Sequence, residues 1–158
     1  MFETLMKSGA YRVDYLNPAA SGQPDAVGFY VRGSLEGPFR YSVPAKRHLL
    51  GGLDFIRRMV GMHNLVAVYM DVDAVNNLAR PAYQQLKRDL RAGLFQRIFV
   101  YDSRDLIDDP ASFEDVLELY LELGGFSLMT CDWMALQMAD NLLQQCSSRV
   151  DLLVPGGQ

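Results

Sequence analysis

Three short stretches of the chain contain residue types that carry out phosphoryl chemistry. In Arg32-Gly33-Ser34, a serine hydroxyl that can act as a nucleophile stands two residues after an arginine. In Asp71-Val72-Asp73, paired carboxylates can bind a divalent cation or orient an arginine. Arg80-Pro81 places a guanidinium at the start of a predicted helix, where it opposes the helix dipole. Each stretch, taken alone, also suits an ordinary turn or a solvated strand end.

The elements that position these residues alternate between strand and helix. Apolar runs typical of buried strands cover residues 26–31, 65–70, 98–101 and 126–130, and a further short strand is predicted over 10–16. Helical spacing of apolar residues follows Pro44, Pro81 and Pro110, and a last helix is predicted from Asp132 to about Cys146. Residues 33–41 are predicted to be a loop.

This alternation predicts an α/β domain with a mainly parallel sheet of four or five strands. Ligands of such sheets bind at the carboxyl ends of the strands. The loops that matter for function are therefore 32–42, 71–80, 102–110 and 131–133.

Length and composition favour a single domain with an ordinary core. The chain has 158 residues, an apolar fraction of 49% and a mean hydropathy of −0.02. Cys131 and Cys146 lie far apart with no histidine beside them, so we expect no zinc site and no cofactor. No signal peptide and no apolar run of ~20 residues is present, so we expect a soluble cytoplasmic protein without membrane contact. We assign 1–25 to an N-terminal extension or edge strand, 26–150 to the domain and 151–158 to a tail.

The charge is unevenly distributed. The net charge of −4 argues against a protein that coats nucleic acid non-specifically. Residues 1–100 nevertheless hold 13 lysines and arginines against 8 acidic residues, whereas 101–158 hold 2 against 11. This asymmetry suits either a basic face for an anionic partner or two differently charged solvated surfaces. One candidate basic surface on two predicted helices consists of Lys46, Arg47, Arg57, Arg58, Lys87, Arg88 and Arg91.

A longer pattern links these stretches. The first strand ends in Tyr30-Val31-Arg32-Gly33-Ser34, the second in Asp71, and Arg80-Pro81 opens a helix that stops at Gly93. A strand over 98–101 and a helix over 113–123 follow without a gap. From Gly28 to about Thr130 this pattern resembles the catalytic domain of serine recombinases, the resolvases and invertases. The resemblance implies a resolvase-like three-layer α/β/α fold.

The resemblance also implies a site that cleaves and rejoins DNA through a phosphoserine intermediate. Ser34 would be the nucleophile, and Asp71 would position an arginine. Arg32 and Arg80, with Arg47 beside them, would bind DNA phosphates and stabilise the transition state.

Two positions depart from the family pattern. In active relatives the third strand is followed by Asp-Arg-Leu-x-x-Arg or Asp-Arg-Leu-x-Arg, whereas here Asp105 and Asp108 stand at the arginine positions. Arg104 stands one place early and can replace one missing arginine. An aspartate facing a phosphate at ~4–6 Å reverses an interaction of several kcal/mol at an effective dielectric of about 20. We therefore expect a degenerate member with little strand-transfer activity.

The resemblance also implies how the chain would associate with other molecules. The family's long dimerisation helix would correspond to residues 132–147, which predicts a homo-oligomer through this helix. The chain stops at Gln158 without a helix-turn-helix, so we expect DNA to be reached through a partner protein.

Two other classes of function stay open. Carboxylates at two predicted strand ends can bind Mg²⁺ for a metal-dependent phosphoryl-transfer or nuclease reaction; they are Asp71, Asp73, Asp102, Asp105, Asp108 and Asp109. Alternatively, the chain is a non-catalytic interaction domain that uses Trp133, Met134 and Met138. His48 and His63 lie in or next to the first helix, and we expect an ordinary surface role for both.

Overall fold

Seven strands and three α-helices alternate along the part of the chain that the computed structural model describes, residues 11–37, 40–72 and 79–131. The strands are β1 (Tyr11–Tyr15), β2 (Val27–Gly33), β3 (Leu35–Gly37), β4 (Arg40–Tyr41), β5 (Leu65–Val72), β6 (Arg97–Val100) and β7 (Ser127–Met129). The helices are α1 (Val43–Met59), α2 (Pro81–Arg91) and α3 (Pro110–Leu123). The predicted strands and helices within the described ranges lie at the predicted places.

Five strands form one mixed sheet in the order β1-β5-β2-β6-β7. Four strands, β5, β2, β6 and β7, run parallel to one another. The edge strand β1 pairs antiparallel with β5. The predicted α/β class with a mainly parallel sheet is therefore confirmed. The predicted loop over 33–41 is wrong in part, because β2 continues to Gly33 and a small hairpin of β3 and β4 follows it.

The central strands are apolar because helices cover both faces of the sheet. All eight residues of β5 are buried, as are the first five of β2, so these strands lack the alternation of a half-exposed strand. One apolar cluster packs α1 against one face through residues such as Leu49 and Ile56. A second cluster packs α2 and α3 against the other face through residues such as Leu86 and Val116. This arrangement is compatible with a three-layer α/β class.

Local signals fix where the helices start. The Ser42 side chain accepts a hydrogen bond from the Ala45 amide at 3.2 Å and caps α1, with Pro44 in its first turn. Asp109 and Ser112 form a reciprocal capping box at the start of α3, and Gly124 ends that helix in the left-handed region at φ 72°. The predicted helix over 132–147, with Trp133 and Met138, lies outside the described residues. Within the described ranges, no helix is long and apolar enough to cross a membrane.

We predict that Gly52→Ala destabilises the protein although alanine favours a helix. A Cβ atom at Gly52 of α1 would overlap the buried Phe29 ring of β2. Overpacking of this kind costs about 1–3 kcal/mol, against a gain in helix propensity of about 1 kcal/mol. Urea unfolding should show a lower midpoint. Leu50→Ala, at a 63% exposed position of the same helix, should change the free energy of unfolding by less than about 0.5 kcal/mol. A more stable Gly52→Ala protein would contradict the prediction.

Candidate functional site

A cleft opens at the carboxyl ends of β2 and β6. In this sheet β2 lies between β5, the next strand of the sheet along the chain, and β6, the strand after that. Because the connections diverge at this point, the loops after β2 and β6 leave a crevice between them, the usual ligand site of open α/β sheets. Its polar lining consists of Arg32, Ser34, Ser42, His48, Asp102, Arg104, Asp105 and Asp108.

Ser34 is exposed directly after β2. Its carbonyl accepts a hydrogen bond from the Ser42 amide at 2.9 Å, which ties the serine to the start of α1. A Cβ atom at Gly33 would overlap the Ala45 side chain. The glycine therefore permits α1 to approach the end of β2. The structure thus places the predicted nucleophile at the mouth of the cleft.

Arg32 lines the same cleft, and its charge is compensated. Its Nη1 donates to the Asp108 carboxylate at 2.8 Å, and both side chains are partly exposed. Asp108 is held at the start of α3 because its amide donates to Ser112 Oγ, whose hydroxyl donates back to the carboxylate. Asp108 therefore forms an ion pair with the arginine that was predicted to bind phosphate.

Arg104 also lines the cleft, but its side chain is 81% exposed. Its guanidinium donates twice to Asp102, at 2.8 and 3.2 Å. These hydrogen bonds hold the pKa of Asp102 below its ordinary value, and the carboxylate raises the pKa of Arg104. Each of the two arginines of the cleft thus has an aspartate as its partner.

His48, for which the sequence predicted an ordinary surface role, lines the cleft and contacts Asp105. Its Nδ1 lies 2.8 Å from an Asp105 carboxylate oxygen, and the histidine and aspartate side chains are 20% and 8% exposed. The ring packs against Tyr101 with a centroid distance of 5.0 Å. The sequence contained a signal for this position of His48. A helix that follows a parallel strand begins at the carboxyl edge of the sheet, so residues of its first turns lie near that edge. His48 lies six residues after the α1 cap at Ser42.

Asp71 does not line the cleft. Its buried carboxylate accepts hydrogen bonds from the amides of Ala82 and Tyr83 at 2.8 and 3.0 Å, and from the Tyr30 hydroxyl at 2.8 Å. The two amides are orphan donors of the first turn of α2. Asp71 of β5 therefore caps α2, a role that its place in the sequence does not predict.

Arg80 lies beside this cap and likewise does not line the cleft. It adopts the left-handed conformation at φ 48°, and its Nε donates to the Tyr30 hydroxyl at 3.1 Å. Its Nη2 donates to the carbonyls of Asp105 and Leu106 at 3.0 and 3.3 Å. Burial and the nearby Asp71 charge raise the pKa of Tyr30, so its hydroxyl stays a donor. Asp71 thus reaches an arginine only through Tyr30, and Arg80 holds the segment after β6.

The remaining predicted cations do not form one surface. Arg47 is exposed on α1 and does not line the cleft. α1 and α2 lie on opposite faces of the sheet, so their lysines and arginines cannot face one DNA backbone together. Lys87 is buried and bonded to Asp115 at 3.0 Å. The seven-residue basic surface is therefore a wrong expectation.

The aspartates proposed for a cation are distributed over different contacts. Asp71 caps α2, Asp105 bonds His48 and Asp108 bonds Arg32, whereas Asp73 lies outside the described residues. Within residues 11–37, 40–72 and 79–131, no three histidine, cysteine or acidic side chains are grouped so that they could hold a metal ion.

We predict that Asp71→Asn destabilises the fold by about 2–4 kcal/mol, because the amide nitrogen of asparagine cannot accept hydrogen bonds from buried donors. Tyr30→Phe, which removes one of the three bonds to Asp71 and also the acceptor of Arg80 Nε, should cost about 1–3 kcal/mol. Both free energies can be measured by urea unfolding. An Asp71→Asn protein as stable as the wild type would show that the carboxylate does not hold α2.

Comparisons with known proteins assign no family. No protein-family model matches the chain, and no curated protein or solved structure does either. The function is therefore argued from the geometry of the cleft and from the residues that line it.

Proposed function

We propose that the chain is a serine-recombinase-type domain that binds a DNA phosphodiester in the cleft between β2 and β6 and attacks it with Ser34. The observation that carries the proposal is the exposed Ser34 at the end of β2, in one cleft with Arg32 and Arg104. A nucleophile and two cations at a switch point of a parallel sheet are the groups that phosphoryl transfer requires. The residue resemblance from Gly28 to Thr130 supports the same chemistry.

In the proposed reaction the Ser34 oxygen bonds to phosphorus while the bond from phosphorus to one deoxyribose oxygen breaks. The serine proton leaves, and the departing sugar oxygen gains a proton. The DNA phosphate stays esterified, now to the serine oxygen, so the freed sugar hydroxyl can attack it in the reverse reaction and rejoin the strand. Arg32 and Arg104 would stabilise the negative charge of the phosphoryl oxygens.

The aspartates keep this activity low. A phosphate that approaches Arg32 must displace or accommodate the Asp108 carboxylate, which lies 2.8 Å from the guanidinium. Two like charges about 5 Å apart repel by about 1 kcal/mol in water and by more in a partly buried cleft. We therefore expect the rate of DNA cleavage to be lower than it would be with an arginine in place of Asp108.

We expect purified protein to nick supercoiled plasmid in EDTA and to become covalently attached to the DNA, and Ser34→Ala to abolish both. A serine nucleophile needs no divalent cation, so EDTA should not stop the reaction. Gel electrophoresis with detection of protein-linked DNA measures both products. Ser127→Ala, at an exposed serine of β7, is the matched control.

Cleavage that needs Mg²⁺ and persists in Ser34→Ala would contradict the proposal and favour the metal-dependent alternative. A folded protein without cleavage, together with an equally inactive Asp108→Asn variant, would favour a non-catalytic interaction domain.

We also expect Asp108→Asn to increase affinity for duplex DNA about tenfold at low salt, because it removes the carboxylate charge from Arg32 and leaves an oxygen to accept the Ser112 hydroxyl. Fluorescence anisotropy of a labelled duplex at several salt concentrations measures the change. Asp54→Asn is the control. Asp54 also pairs with an arginine, Arg57, but this exposed ion pair lies within α1. Equal gains in both variants would mean that only net charge matters.

A further inference from the structure

We propose that His48, oriented by Asp105, is the general base that removes the proton of Ser34. This inference rests on the proposed role of Ser34 as a nucleophile and adds two residues to it. Ser34, His48 and Asp105 line one cleft, and together they supply a nucleophile, a base and a carboxylate that orients the base. The family pattern described above assigns no role to a histidine.

Two contacts hold the histidine ring in one orientation. Asp105 lies 2.8 Å from Nδ1, so this nitrogen carries the proton and Nε2 is the basic nitrogen. The Tyr101 ring lies against the imidazole at 5.0 Å with an angle of 31° between the planes. Gly51 permits that position, because a Cβ atom there would lie 2.7 Å from the Tyr101 ring. The His48 ring is 20% exposed, so it stays accessible from the cleft.

Asp105 is fixed by the backbone around it. The residue is buried in the short turn Ser103–Asp105, and its amide donates to the Asp102 carbonyl at 2.9 Å. Its own carbonyl accepts from Arg80 at 3.0 Å. Since Arg80 binds the backbone of this turn, it positions the carboxylate that orients His48.

The serine and the histidine are also tied to each other through α1. The Ser34 carbonyl accepts from the Ser42 amide, and the Ser42 side chain caps the helix that carries His48 one and a half turns later. The relative position of nucleophile and base therefore depends on one short, capped connection.

In the proposed step, His48 takes the proton of Ser34 while one bond to phosphorus forms and another breaks. Ser34 Oγ attacks phosphorus, its proton passes to His48 Nε2, and the bond from phosphorus to the leaving group breaks. His48 then carries the positive charge, which Asp105 stabilises, and it can return the proton to the departing oxygen. No oxidant, reductant or metal is required.

The test uses a fluorescent fluorophosphonate ester and the whole protein, without DNA. Attack by Ser34 would form the phosphonyl-serine bond and release fluoride, with the serine proton going to His48. Trypsin separates the two serines of the cleft, since Ser34 falls in the peptide GSLEGPFR and Ser42 in YSVPAK. Mass spectrometry of these peptides identifies the labelled residue.

We expect labelling at Ser34 and its loss in Ser34→Ala. His48→Gln should slow labelling about 100-fold, and His63→Gln, which changes the other histidine of the chain, should leave the rate unchanged. Asp105→Asn, which keeps the carbonyl that Arg80 binds, should slow it about tenfold or more. Imidazole added to His48→Ala should restore part of the rate, which a merely structural role would not allow.

Three results would overturn the inference: labelling of Ser34 that is equally fast in His48→Gln, labelling at Ser42 instead, or no labelling of the folded protein. The first leaves the proposed DNA reaction standing if the plasmid is still nicked through Ser34. Conversely, His48-dependent labelling without plasmid nicking would support the base and contradict the proposed substrate.

Discussion

The Asp71 carboxylate is buried at the end of β5 and accepts hydrogen bonds from the first turn of α2 and from the Tyr30 hydroxyl of β2. A buried carboxylate is costly unless its oxygens are bonded, and here both oxygens are. Tyr30 in turn accepts from Arg80, which donates to two carbonyls after β6. One buried charge therefore connects β5, α2, β2 and the segment that forms one wall of the cleft.

Through these hydrogen bonds Asp71 and Arg80 support the cleft, although neither residue lines it. Arg80 holds the backbone at Asp105, and the Asp105 side chain holds His48. The resemblance gave Asp71 the positioning of an arginine and Arg80 the binding of phosphate, whereas in the structure both residues support the cleft without lining it. Their place in the fold is consistent with a positioning role, because they fix the turn that carries the aspartate.

The cleft itself is a set of compensated charges. Asp108 pairs with Arg32 and Asp102 with Arg104, whereas Asp105 is hydrogen-bonded to His48. Here the partners of opposite sign belong to the loop after β6, within the acidic part of the sequence. The Arg32–Asp108 pair therefore joins a cation from the basic part of the sequence to a carboxylate from the acidic part.

The sequence by itself determined the type and order of the elements, because apolar spacing, prolines, caps and glycines act over a few residues. The strands, the helix starts at Pro44, Pro81 and Pro110, and the position of Ser34 at a strand end were all predictable for that reason. The small hairpin after Gly33 was not, since two short strands of three and two residues leave almost no periodic signal. Only the tertiary structure decided which side chains meet. Arg32 and Asp108 are 76 positions apart, and His48 and Asp105 are 57 apart. Contacts at such separations depend on strand order and on how helices cover each face, which local spacing does not encode.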